Sequence, residues 1–263
     1  MAGISTGNGY PLPFENRYAL YRAAGFDSII LWWGNDGMAT RADRVWLTRV
    51  YDLKIEHAHA STNDLNTIWL EGNAGNRTIN RLLHEIADCA EFGIHTLAVH
   101  LTNGSVPPPI TAIGLQRVEH LIRLAETAHV RLAFENLRVP QHTQYILEQY
   151  PSSFVGLCYD AGHEHFWTPG VDWLQSYPKR IFAIHLHDNC KDSDAHFIPF
   201  DGTIDWERKL ADIAASAYNG CITLEAEFRT GGRYEKNGLE AFLRNASLRG
   251  REIEAKIQQY RTK

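Results

Sequence analysis

Eight short apolar runs recur along the chain, and between them the apolar positions fall at helical spacing. The runs are residues 3–6, 27–33, 54–60, 94–101, 130–136, 152–160, 180–186 and 221–228. Bounded by Gly, Pro or polar clusters, they read as buried strands. Residues 13–26 show helix spacing, with Pro13 near the start and Gly25 near the stop. Residues 39–53 present Val45, Trp46, Val50 and Leu53 as an apolar helical face, and 76–93 form an amphipathic helix stopped at Gly93. Further helices are predicted over 114–129, 140–150, 168–177 and 205–218, and from Glu235 to Arg261. Strict alternation argues for parallel strands, because parallel neighbours need a crossover between them. Eight strand–helix units in 263 residues make a single (β/α)8 TIM barrel, with residues 1–263 as one domain. A doubly wound open sheet competes, but no GxGxxG follows the first strand.

Composition leaves that picture unchanged and narrows the setting. The formal net charge is −5, so the chain as a whole shows no electrostatic footprint of a nucleic-acid binder. Cys89, Cys158, Cys190 and Cys221 stand singly and far apart, which fits a reducing cytoplasm better than a disulfide scaffold. The first residues lack a basic leader followed by an apolar core, and no segment has the length of a membrane span. The expectation is a soluble, cytoplasmic protein without a membrane partner.

The chemistry lies where strands should end. The third strand ends at His57 and His59, the fourth at His100, the fifth at Glu135, and the sixth at Asp160 with His163 three residues on. The seventh ends at His185, and the eighth at Glu225 with Glu227 behind it. In a barrel these positions converge on one mouth. Buried carboxylates are costly unless paired or bound to a cation, so six successive endings of this type point to a metal site. Glu135, Asp160, His185 and Glu225 form a hard, anionic set suited to Mn²⁺, Mg²⁺ or Co²⁺, with Zn²⁺ tolerated. Such an ion chelated by adjacent carbonyl and hydroxyl oxygens stabilises an enediolate while a neighbouring carboxylate moves the proton. A polar loop after the seventh strand adds His187, Asp188, Asp194 and His196.

The segments FEN at 134–136, CYDAGH at 158–163, HLHDN at 185–189, DAH at 194–196 followed by PFDGTIDW, and LE at 224–225 carry a resemblance. Together they resemble the xylose-isomerase-like TIM barrels, the superfamily that also holds the endonuclease IV-like AP endonuclease family 2. The likeness covers roughly residues 54–228; the first two units match only in architecture. For the epimerase and isomerase members the resemblance implies one divalent metal held by Glu135, Asp160, His185 and Glu225, with Glu135 and Glu225 as the acid/base pair. For the endonuclease branch it implies two further zinc ions, one on His59 and His100 with Glu135 shared, the other on His163, Asp194 and His196.

Two features favour the first branch. Duplex DNA demands several phosphate contacts, whereas the loops after the first three strands mix few basic residues with Asp36, Asp43, Asp64 and Glu71. Trp32, Trp33 and Trp69 suit an apolar wall for the face of a sugar, and Lys191 and Arg229 stand where a substrate carboxylate, phosphate or hydroxyl could be met. In PFDGTIDW, Gly202 is expected to permit a tight turn while Ile204 and Trp206 anchor the next helix. The expected function is a metal-dependent isomerase or epimerase of a small sugar, keto-sugar or sugar phosphate, with one ion and a small-molecule partner. A trinuclear zinc phosphodiesterase acting at abasic sites in DNA is the alternative, and a non-catalytic sugar-binding barrel the third. The barrel bottom and helix 238–260 offer a face for a homo-oligomer.

Overall fold

A computed structural model describes residues 1–7, 9, 12–34 and 39–262, so Asp36 lies outside the described residues. The chain runs β1 (Ala2–Ser5), α1 (Phe14–Ala23), β2 (Ser28–Trp32), α2 (Arg41–Val50), β3 (Lys54–His59), α3 (Asn73–Glu91), β4 (Thr96–Val99) and α4 (Ala112–Thr127). It continues with β5 (Arg131–Glu135), α5 (Pro140–Gln149), β6 (Val155–Asp160), α6 (Ala161–Trp167), α7 (Trp173–Ser176), β7 (Ile181–His185), α8 (Trp206–Ala215), β8 (Ile222–Leu224) and α9 (Leu239–Arg261). The eight strands lie in the order β7-β6-β5-β4-β3-β2-β1-β8, all paired in parallel. One residue past β7 completes the circle. Leu186 N–H donates to Thr223 O at 3.0 Å, and Glu225 N–H donates to Leu186 O at 3.1 Å. The expected single (β/α)8 TIM barrel is the fold, and no helix among the described residues is long and apolar enough to cross a membrane.

Strand alternation separates two cores. Leu97, Val99, Leu132, Phe134, Leu157, Tyr159 and Ile184 belong to the large apolar cluster, which includes buried residues of the surrounding helices. Ala98, Ala133, Cys158 and Ala183 form a separate, fully buried cluster. Because side chains repeat a face every second residue, these four occupy the layer directly beneath His100, Glu135, Asp160 and His185. Small side chains there leave room at the centre of the barrel. His57, two residues before His59, shares that face from β3; the register between β2 and β3 shifts after Ile29, with Ile29 opposite Ile55 and Ile30 opposite His57. The irregularity sets the phase of both histidines.

Three helical expectations need correction. The buried face of α2 is Arg44, Val45, Leu47 and Thr48, whereas Trp46 and Val50 are 61% and 50% exposed. A charged side chain takes the inward place because Arg44 donates to the carbonyls of Trp32 and Gly34, each at 2.7 Å. Downstream of β6 there are two helices, since Asp160 caps α6 at once by accepting the His163 N–H at 2.6 Å. The terminal helix begins at Leu239; Glu235–Asn237 is a separate 3₁₀ turn.

Candidate metal centre

Glu135, fully surrounded at the end of β5, is the hub of the barrel mouth. Its Oε2 lies 3.0 Å from His100 Nε2, 3.3 Å from His59 Nε2 and 3.3 Å from His185 Nδ1, while Oε1 lies 3.0 Å from His163 Nδ1. His185 Nδ1 is also 3.5 Å from Glu225 Oε1. Asp160 faces His187 Nε2 at 3.1 Å, and Asp194 lies 3.3 Å from His163 Nε2 and 3.5 Å from His196 Nε2. The ends of strands β3 to β8, the start of α6 and the loop after β7 therefore bring together all nine residues proposed from sequence as metal ligands.

Backbone and amide contacts hold these groups in place. Asn136 Nδ2 donates to Asp160 O at 2.8 Å and its Oδ1 accepts Asp160 N–H at 2.7 Å, which ties β5 to β6 at their ends. The loop after β7 is organised by Asp188, whose carboxylate accepts N–H groups from Asn189, Phe200 and Ile204 and from the Trp206 indole at 2.9, 3.0, 3.2 and 2.7 Å. Strand-like pairing of Asp188 with Phe197 carries Asp194 and His196 back over the mouth. Gly202 is required for space, not for a left-handed turn: a Cβ there would lie 2.3 Å from Asp188 Oδ1. Gly162 likewise leaves room for the His187 ring, which a Cβ would meet at 1.9 Å.

The donor set fits a cation. His59 Nδ1 donates to Ala60 O at 2.8 Å and His196 Nδ1 to Glu225 O at 2.8 Å, so each imidazole turns Nε2 towards the carboxylates. Outer hydrogen bonds of this kind fix the tautomer of ligating histidines. Asp160 Oδ2, His185 Nδ1 and Asp194 Oδ1 are buried polar atoms with no hydrogen-bond partner. Four groups of side chains have donor atoms close enough to share an ion: Asp160, His185 and Glu225; His59, Glu135 and His185; Glu135, Asp160 and His163; and His163, His187, Asp194 and His196. Burial opposes ionisation of Glu135, yet His100 and His185 together with hydrogen bonds from His100 and His163 hold its carboxyl well below the usual range. Burial also opposes charge on the imidazoles, but Asp160, Asp194 and Glu135 raise His163 well above its ordinary value, and Asp194 raises His196 to about 9. The carboxylates thus act as anions seeking positive partners.

Residues 18–246 match the model of the xylose isomerase-like TIM barrel. The chain belongs to that family. Among curated proteins it is similar to uncharacterized protein y4fM of Sinorhizobium fredii, 36% identical over 104 residues, which are 37% of this chain and 33% of that protein. It is also similar to uncharacterized protein MJ1311 of Methanocaldococcus jannaschii, 23% identical over 195 residues, 66% of this chain and 65% of the other. The matched stretches thus span a third and just under two thirds of those relatives. Among solved structures, L-ribulose 3-epimerase superposes with a TM-score of 0.76 at 17% identity, covering 100% of this chain and 96% of that one. A D-tagatose 3-epimerase-like protein gives 0.74 at 16%, covering 99% and 98%. The IOLI protein with a binding zinc atom gives 0.73 at 16%, covering 98% of each. At such identities the likeness is one of fold.

In this xylose isomerase-like barrel the metal-ligand types open onto a cavity of about 570 Å³. Ser5, Thr62, Asn63, Thr102 and Asn103 add hydroxyl and amide groups to its lining, and Trp32 forms one wall with its ring 5.1 Å from that of His59. Trp33, the next residue, points the other way: it is fully buried, and its Nε1 donates to Glu85 O at 3.2 Å. Trp69 is likewise buried, its Nε1 donating to Leu101 O at 2.8 Å. Neither forms the expected sugar wall. Lys191 and Arg229 are exposed and do not line the cavity, Arg229 being paired with the Glu227 carboxylate. The cavity instead receives Arg138, which sequence reasoning passed over. Also missed was the role of His57: its Nε2 lies 2.9 Å from His185 Nε2, with the rings within 17° of parallel and both residues buried.

Proposed function

We propose that the protein is a metal-dependent isomerase or epimerase of a small sugar or keto-sugar. The observation that carries this reading is the convergence of Glu135, Asp160, His185 and Glu225 at the barrel mouth, where Glu135 and Glu225 line a cavity that also presents hydroxyl and amide groups. The solved barrels of the same fold that are named as sugar 3-epimerases support it. A divalent ion held by these four residues would supply Lewis acidity to neighbouring carbonyl and hydroxyl oxygens. Glu135 and Glu225 are the two carboxylates on either side of His185, and they serve as the proton-moving pair. One takes the proton from the carbon beside the carbonyl; the other returns one to the opposite face or to the neighbouring carbon. His100 and His163 keep Glu135 ionised for that role, and Trp32 covers the apolar face of the ring.

The test is deuterium uptake from solvent into a panel of keto-sugars with Mn²⁺, Co²⁺, Mg²⁺ or Zn²⁺ supplied. Wild-type protein incorporates deuterium beside the carbonyl, and Glu225→Gln slows this by about 10²- to 10⁴-fold. Metal content, measured in parallel, separates a lost base from a lost ligand. No uptake across the panel with metal bound rules the reading out.

A second reading is favoured by the cluster of His163, His187, Asp194 and His196 beside the first. A multinuclear zinc centre would suit phosphodiester hydrolysis. About three zinc ions per chain, together with cleavage of an abasic-site duplex, would select it. The cavity argues against a duplex, because Arg138 is the only Lys or Arg among its described lining residues.

A further inference from the structure

We propose that the substrate carries an anionic group, a phosphate or a carboxylate, and that Arg138 receives it at the cavity wall. This deepens the isomerase reading by naming the substrate class, and it rests on that reading for the identity of the sugar.

Arg138 lies in the short connection between Glu135, the last residue of β5, and Pro140, the first of α5. Its guanidinium carbon sits 4.1 Å from the centre of the Trp167 ring. Trp167 is the last residue of α6, the helix that starts immediately after Asp160. The cation and its aromatic platform therefore come from the segments following the two strands that deliver Glu135 and Asp160. Stacking on an indole face fixes the plane of a guanidinium and leaves its N–H edges free to bond outward.

Those edges have no oxygen partner among the described residues, and this sets Arg138 apart from the arginines with structural roles. Arg41 is committed to Glu85 and Asp88, Arg44 to the carbonyls of Trp32 and Gly34, and Arg117 to the carbonyls of Ile68 and Leu70. An oriented guanidinium with open donors matches the paired oxygens of a carboxylate or phosphate.

Charge distribution then orients the substrate. The same cavity is lined by Asp64, Glu135, Asp194 and Glu225. An anionic tail is repelled by these carboxylates and drawn to Arg138, which leaves the carbonyl and hydroxyl end for the floor. A neutral sugar has no comparable handle, so the preference should appear in substrate choice.

The experiment uses the metal-loaded full chain, Arg138→Met and Arg138→Lys, with melting curves to confirm folding. Binding of glycerol 3-phosphate, glycerate and glycerol is measured by calorimetry at low salt. Wild-type protein prefers one anion to glycerol at least tenfold; that preference collapses in R138M and is intermediate in R138K. The anion that shows the Arg138 dependence identifies phosphate or carboxylate as the source. The second measurement is deuterium uptake into matched ketoses and ketose phosphates or keto-acids. The anionic-to-neutral ratio of kcat/KM falls at least tenfold in R138M, through KM. Equal anion affinities in wild type and R138M, or an unchanged ratio, overturns the proposal. Arg138-dependent anion binding without uptake into any sugar would leave the anion site standing and remove the isomerase reading.

Discussion

His57 shows how a residue one layer below the mouth can govern a candidate ligand above it. With a cation between His185 Nδ1 and the carboxylates of Glu135 and Glu225, the proton of the His185 ring would sit on Nε2, which lies 2.9 Å from His57 Nε2. A neutral imidazole acceptor in place of the more usual carboxylate or carbonyl fixes the tautomer without adding a charge. His57→Ala should therefore weaken metal binding by about 10- to 100-fold in chelator competition while the barrel still folds, and His57→Gln should recover part of the loss. Unchanged affinity in both variants would reduce His57 to filling. Candidate ligand types were legible because chemistry at strand ends is visible without coordinates, but depth was not. Whether His57 or His59 reaches the mouth depends on the irregular register after Ile29 and on the small side chains of four other strands. The choice between Trp32 and Trp33 was hidden for a related reason: adjacent strand residues face opposite ways, and only the register says which way.

At the scale of elements, the loop after β7 is the piece that sets how many candidate metal-binding groups the mouth contains. Asp188 accepts four N–H donors there, and an amide in its place offers one acceptor oxygen and presents two unwanted donors. Asp188→Asn should cost about 3 kcal/mol or more in urea unfolding, since buried N–H groups are left without acceptors. It should also displace Asp194 and His196, lowering the affinity of their group for metal more than that of Glu135, Asp160, His185 and Glu225. Equal losses at both groups would show that the loop does not act separately. The alternation of apolar runs with helical stretches was enough to predict this frame, because each strand needs a crossover to its parallel neighbour. The inward face of α2 was not legible, since Arg44 owes its burial to two carbonyls from another element, a partnership no periodicity records. Arg138 was overlooked because a lone arginine in a four-residue connection looks like any solvated charge until Trp167 is placed beneath it.

For the whole molecule, the circle of strands is not uniform. Seven junctions are ladders of two or more residue pairs, two of them with a register shift, whereas β7 and β8 meet through the single bridge of Leu186 with Leu224. His185 and Glu225 stand on opposite sides of that junction, 3.5 Å apart. An ion gripped by both would act as a clasp on this join of the barrel. Amide hydrogen exchange should show it: on adding metal, protection of the Leu186 and Glu225 amides rises at least tenfold more than that of Leu132, which donates to Phe154 across the β5–β6 ladder. A uniform rise would mean only that the ligand stabilises the native state as a whole. If the join tightens selectively, the metal-free protein breathes at the edge of the proposed reaction centre, and loading the metal would also be the last act of closing the fold.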